Sequence, residues 1–352
     1  MSSFSQKTGV VVIGRNEGSR LIRSLESVVD KSQVVVYVDS GSTDGSCEVA
    51  RDRKVEVVEL DMSVPFTAAR ARNAGFERLR EKYPEVEYVQ FIDGDCEVIP
   101  GWLEAAAQTL DNGPDVVAVC GWRRERYPDR SVYNRICDVE WRIGPVGETK
   151  SCGGDAMIRA DALAAVSGFN PTVIAGEEPE LCVRLRQRGG KIIRLDAEMT
   201  LHDADMHRVA QWWARAKRCG HAYAQGYYMH GASPEHMYLK EIRSTWLWGL
   251  ILPLAALALM LPTGGISLLA FGRYPLSALR TIYKTRKQGF SWAESIAWGL
   301  SCAVSAFPQV FGAVKFHRDR LLNKQHQIIE YKAPQAAASN VLQPTGSAEL
   351  RR

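Results

Sequence analysis

The sequence predicts an α/β domain, a mostly parallel twisted sheet flanked by helices, followed by a hydrophobic and basic C-terminal helical region. Three observations predict it. Short β-branched runs at Gly9–Gly14, Val34–Val38 and Tyr88–Ile92 each stop at polar residues. Helical patterns lie between them, and past residue 240 long uncharged stretches replace the alternation. Strands buried on both faces read as continuous apolar runs, and strands alternating with helices imply βαβ units and a parallel sheet.

Size and composition agree with that reading. The chain has 352 residues, 46% hydrophobic and 24% charged, which suits one large domain with an appendage, or two domains, and excludes wholesale disorder. Its eight cysteines form no CxxC pair, which argues against a disulfide framework or zinc ribbon and fits a reducing compartment. The opening residues, MSSFSQKTGVVVIG, hold too short an apolar run for a secretory signal. Residues 241–352 carry 13 Lys/Arg against 5 Asp/Glu, whereas residues 1–240 carry 31 against 35. Basic charge beside apolar runs points to a membrane surface. With no arginine-rich tract carrying interleaved aromatics, a nucleic-acid partner is not expected.

The first run ends in Gly14-Arg15-Asn16-Glu17, and Ser19–Asp30 then sets Leu21, Ile22, Leu25, Val28 and Val29 on one helical face. The second run ends at Asp39 and opens VDSGSTDGS, where Gly41 and Gly45 permit a tight turn. Asp39 can accept a proton from a base or ribose, or its loop can simply cap the next helix. Thr67–Lys82 reads as a second helix. The third run meets Asp93-Gly94-Asp95. Two carboxylates so close repel each other, and a hard cation that also binds a diphosphate is their natural partner, with a mere acidic turn as the alternative. Ligands of such sheets bind beyond the carboxyl ends of the strands, where these acids stand.

Further on, Glu177, Glu178 and Glu180 crowd the start of an amphipathic helix. The helix dipole favours acids there, yet capping needs one rather than three, and a carboxylate so held can take a proton from an incoming hydroxyl. Lys191–Leu195 reads as a strand, with His202 following it and His207 at a helix start.

The ordered set VDSGSTDGS, ARARNAG, DGD, GGDAM, GEEPEL and QWWAR resembles the family 2 glycosyltransferases of the GT-A fold, over about residues 8–230. That resemblance implies an inverting transferase using a nucleotide-diphosphate sugar. It gives Asp39 the nucleobase or ribose and Arg72 the nucleotide. Asp93 would face ribose or metal, and Asp95 would hold Mn2+ or Mg2+ against the diphosphate. Gly154 and Asp155 fall in the acceptor-side loop, and His202 in the place of a late metal or phosphate contact. The catalytic acids fall on Glu177 and Glu178, with the base at Glu178; Glu stands there instead of the family's usual Asp, and Glu180 follows two residues on. Processive members carry Gln-x-x-Arg-Trp, whereas this chain has Gln211-Trp212-Trp213-Ala214-Arg215. A non-processive enzyme is therefore expected, with Arg215 near the diphosphate and the tryptophans packing on the sheet or a membrane. A degenerate domain serving as a membrane-bound scaffold is the alternative.

The expected division is 1–235 for the transferase domain, 236–332 for the membrane-associated region and 333–352 for a low-complexity tail. Thr245–Gly272 and Ser295–Val314 are each long enough to span a bilayer. Two single spans would put the basic stretch Arg273–Lys287 on the far side, against the usual bias of such loops. Pro262-Thr263-Gly264-Gly265 is a turn signal. A re-entrant hairpin there keeps the basic stretch, and the catalytic domain, on the cytosolic face of the inner membrane. The acceptor expected is lipid-linked or a growing glycan.

Overall fold

The computed structural model describes residues 6–324 and 328–330; the tail expected at 333–352 lies outside the described residues. The apolar runs form β1 (Thr8–Gly14), β2 (Val34–Asp39) and, after the edge strand β3 (Glu56–Glu59), β4 (Tyr88–Asp93). Val10, Val11, Val12, Val36, Val38, Val89 and Ile92 are fully buried, as strands covered on both faces require. Helices α1 (Ser19–Glu26), α2 (Ser46–Asp52) and α3 (Ala68–Lys82) cover them. The first is shorter than its apolar pattern, because the chain leaves the helix after Glu26 and Asp30 takes a φ of 66°. Thr67 starts α3 by accepting from the Arg70 amide at 3.1 Å, a cap that stabilises by about 1 kcal/mol. Inside α3, a Cβ on Gly75 would lie 2.4 Å from Val11 Cγ1, so a glycine is what lets this helix lie on β1.

The second half contributes β5 (Cys96–Val98), α4 (Trp102–Asn112), β6 (Val116–Glu125), α5 (Val132–Arg142), β7 (Gly147–Glu148), β8 (Ala156–Arg159), α6 (Ala160–Ala165), α7 (Glu177–Gln187) and β9 (Lys191–His202). The strand order is β3-β2-β1-β4-β8-β6-β9-β5, with β7 also on β9. Pairs β1–β2, β1–β4, β2–β3 and β6–β9 are parallel, whereas β4–β8, β6–β8, β5–β9 and β7–β9 are antiparallel. The sheet is thus mixed, not mostly parallel. The loop before β8 returns the chain across the carboxyl end of β4, so Ala156 pairs with Phe91 and Arg159 with Tyr88. That reversal brings Gly153-Gly154-Asp155 beside Asp93.

Past β9 the chain is helical: α8 (Val209–His230), α9 (Leu239–Trp246), a π-helical stretch Leu247–Ile251, α10 (Leu252–Ala258), a 3-10 stretch Ile266–Gly272, α11 (Arg273–Lys287), α12 (Trp292–Val304) and α13 (Ala306–Leu321). Helices α8 and α13 cross in close contact. A Cβ on Gly220 would lie 2.0 Å from Gln309 O, and one on Gly312 1.9 Å from Lys217 O. The tryptophans of α8 do not pack on the sheet: Trp212 packs against Cys137, Ala204 and Met206, and its Nε1 donates to Ser301 Oγ of α12 at 2.9 Å, while Trp213 lies 6.0 Å from the Phe311 ring of α13.

The two expected long spans are both interrupted. The chain reverses near the predicted turn, where Ser267 Oγ donates to Ala256 O at 2.6 Å. Ser295–Val314 is split between α12 and α13, which meet at a 44° bend. Among the described residues no single helix is long and apolar enough to cross a membrane, and this bent pair passes by length and composition together.

Candidate active site

A cleft of about 670 Å³ opens beyond the carboxyl ends of β1, β2 and β4, within the size range of small-molecule sites. Arg72 stands at its centre. It is 2% exposed, and its Nη2 donates to Asp93 Oδ1 at 2.8 Å while Nη1 donates to Glu177 Oε1 at 2.7 Å. One guanidinium, carried by α3, therefore joins the end of β4 to the start of α7. Burial alone would lower its pKa, but Asp93 and Glu177 outweigh that and raise it, so the charge is permanent.

Beside it lies a second ion pair. Asp155 is fully buried, accepting from Thr200 Oγ1 at 2.7 Å and pairing with Arg123 Nη2 at 2.8 Å. Arg123 Nη2 stands 3.9 Å from Asp93 Oδ2, and the guanidinium lies over the Trp141 ring at 5.4 Å. Gly154 leaves the space between the two arginines: a Cβ there would meet Arg123 Nη2 at 3.0 Å and Arg72 Nη2 at 3.3 Å. Asp155 is thus sealed below the cleft, where it orients an arginine.

Asp95 and His202 come together, Oδ2 to Nε2 at 3.3 Å, each almost wholly buried and each lining the cleft. The imidazole stands edge-on to Trp141 at 4.5 Å, with its Nδ1 3.8 Å from Glu125 Oε2. A carboxylate oxygen from the turn before β5 and an imidazole nitrogen from the end of β9 converge, with Asp93 on the same cleft wall, and fit a divalent cation such as Mn2+. Neighbouring Cys96 is buried beside this pair, its Sγ 3.7 Å from Asp95 Oδ1, close enough to join Asp95 and His202 around one ion.

The three acids at the start of α7 separate into three roles. Glu180 is 1% exposed and bound by Arg184 at 2.8 Å and by His230 at 3.0 Å, so it braces the helix. Glu177 belongs to Arg72. Glu178 lines the cleft, and its Oε1 accepts from the Cys152 amide at 2.6 Å.

Two expected contacts are turned to the protein itself. Asp39 accepts from the Gly41 and Ser42 amides at 2.9 and 2.7 Å and from Tyr37 Oη at 2.8 Å. It holds its own turn, and Ser40 lines the cleft instead. Arg215 lines the cleft too, with its guanidinium gripped by Glu140 at 2.6 and 3.1 Å. His207 is at the start of α8, paired with Asp205 at 2.9 Å.

Arg123, Trp141 and Glu140 escaped the sequence reading. A signal for Arg123 was there. Along β6, Trp122 and Arg124 point one way, to Asp196 and Glu198, so period-2 alternation sends Arg123 the other way, into the site.

The model of glycosyl transferase family 2 matches residues 9–167. Among curated proteins, the chain is 28% identical over 222 residues to the pre-mycofactocin glycosyltransferase of Mycobacterium tuberculosis, covering 58% of this chain and 44% of that one. It thus spans less than half the length of that relative. The succinoglycan biosynthesis protein ExoA of Rhizobium meliloti is 25% identical over 240 residues, covering 64% of this chain and 71% of that one. Of solved structures, the mannosyltransferase PcManGT of Pyrobaculum calidifontis, in complex with GDP-Man and Mn2+, superposes with a TM-score of 0.59 at 21% identity, covering 89% of this chain and 88% of that one. Residues 1–349 of TarS from S. aureus give 0.51 at 14% identity, over 86% and 92%. At such identities the likeness is one of fold.

Proposed function

We propose, from the premise that residues 9–167 belong to glycosyl transferase family 2, that this chain moves a single sugar from a nucleotide-diphosphate donor to a hydroxyl of a lipid-linked or polysaccharide acceptor, with inversion. The observation that carries the reading is the Arg72 clamp, which sets Asp93 and the start of α7 on one cleft. An inverting transfer needs both in one place: a wall for the donor diphosphate, and a carboxylate opposite it for the acceptor. Glu178 Oε2 takes the hydroxyl proton as the acceptor oxygen bonds to the anomeric carbon, and the bond from that carbon to the diphosphate breaks on the other face. Arg72 and Arg123 keep cationic charge beside the leaving group. When bound at Asp95, Asp93 and His202, a divalent cation supplies Lewis-acid stabilisation of the departing diphosphate. The Mn2+ and GDP-Man complex of the Pyrobaculum structure supports this donor class.

The test is a panel of nucleotide sugars with Mn2+, scored for transfer and hydrolysis, with Glu178→Gln as the control. Loss of about 10²–10⁴-fold in turnover with nucleotide binding kept is expected. Unaltered turnover refutes the base.

The same reading places the enzyme at the cytosolic face of the inner membrane. What supports it is exposed apolar surface, with Leu261 84% and Leu269 78% exposed, next to the basic residues Arg273, Arg280, Lys284, Arg286 and Lys287 of α11. Anionic lipid attracts such a combination.

A further inference from the structure

Glu178 sits in an unusual setting. Its Oε1 accepts from three donors: the Cys152 amide at 2.6 Å, the Cys152 thiol at 3.0 Å and the Cys182 thiol at 2.8 Å. The two sulfurs stand 3.6 Å apart, and both cysteines are buried and free. Cys182 lies one helical turn beyond Glu178 on α7 and so shares its face, while Cys152 comes from the loop that leads into Gly153-Gly154. Oε2 takes no hydrogen bond from the described residues, although Glu178 lines the cleft. One oxygen is fixed and the other is left for a ligand.

We propose that Cys152 and Cys182 are positioning residues, whose two thiols hold Oε1 of Glu178 so that Oε2 faces the acceptor hydroxyl. The functional part rests on the reading of Glu178 as the base; the contact itself does not. Both thiols remain protonated and can donate. Cys152 is pushed well up, first by the Cys182 thiol and then by burial, and Cys182 is pushed up to about 11, chiefly by burial.

The choice of thiol has a chemical consequence. Each hydrogen bond to a carboxylate favours its charged form and weakens it as a base. S–H is a weak donor and O–H a strong one, so two thiols fix the oxygen with less loss of basicity than two hydroxyls would cause. A general base works best when it is both held and basic. Other titratable or charged groups facing this cluster are Cys120 on β6, Tyr238 before α9, Glu177 on the same turn, Arg186 on α7 and Arg194 on β9. None of them is altered by the variants below.

The experiment titrates Glu178 directly, by ¹³C NMR of protein labelled at the glutamate Cδ, with the resonance assigned by its loss in Glu178→Gln. Cys152→Ala and Cys182→Ala should each raise the carboxyl pKa by about half a unit to one unit. Cys152→Ser and Cys182→Ser should return it to the native value or below. A carboxyl that does not move in either Ala variant overturns the proposal. The two sites are read separately, so loss of folding at one leaves the other decisive.

Hydrolysis of UDP-glucose and GDP-mannose is followed in parallel. The acid limb of kcat should move to higher pH in step with the carboxyl titration, with donor KM unchanged, and the Ser variants should restore it. A rise in donor KM with kcat unchanged would show loosening of the loop instead and would overturn the positioning role. Native-like turnover of Glu178→Gln would remove the base reading alone, because the ¹³C titration still decides the contact.

Discussion

Arg72→Met is expected to cost about 3 kcal/mol of folding stability. The guanidinium is 2% exposed and meets two carboxylates at 2.7 and 2.8 Å. At an effective dielectric of about 20, each contact is a gross attraction of several kcal/mol, most of which offsets the desolvation of the buried cation. The intact cluster is therefore close to neutral in net energy. Deleting the arginine is different, since it strands charge: breaking a buried pair costs about 3–5 kcal/mol. Glu177, with its side chain 10% exposed, carries most of that cost, whereas Asp93, at 30%, can recover water and keeps Arg123 nearby. This argues for the lower end of the range. Urea unfolding followed by tryptophan fluorescence, in metal-free buffer, measures it, and Tm should fall by about 5–10 °C. Adding Glu177→Gln should restore roughly half the loss, because it removes the stranded charge. A loss below about 1 kcal/mol, the range of exposed pairs, would refute the clamp, as would a double variant no more stable than Arg72→Met.

Three more expectations concern the cleft and the C-terminal region. Asp95→Ala and His202→Ala should each weaken Mn2+ binding, by titration calorimetry, by about tenfold or more, and excess chelator should abolish transfer; full activity in chelator would remove the metal from the mechanism. Gly154→Ala would press a methyl against Arg123 Nη2 at 3.0 Å, so donor binding should fall about tenfold with Tm nearly unchanged, and unaltered binding would mean that the donor does not cross this point. Vesicles containing anionic lipid should sediment the protein, and neutral vesicles much less. Arg280→Glu with Lys284→Glu should reduce that binding by about 1 kcal/mol per charge removed, and equal binding to both vesicle types would refute the basic surface.

What the sequence determined by itself was local. Runs of β-branched residues delivered β1, β2 and β4 nearly to the residue, Thr67 marked the start of α3, and the turn near Pro262 fell where the chain reverses. These depend on periodicity and turn chemistry within a few residues. The acids at the strand ends were visible for the same reason, since ligands of such sheets gather there. Tertiary structure decided the rest. Arg72 and Glu177 are 105 positions apart, and nothing local says that α3 and α7 share a cation. Three neighbouring glutamates look alike in sequence, yet they part because Arg72, the two cysteines and the Arg184–His230 pair arrive from different elements. The antiparallel direction of β8 came from the loop returning across the end of β4, and strand direction is a property of crossovers, not of composition. Likewise α12 and α13 read as one apolar run, although Pro308 withholds an amide from Val304 and so breaks the helix locally where the bend falls; what tertiary structure decided is where α13 lies, in the close glycine crossing with α8.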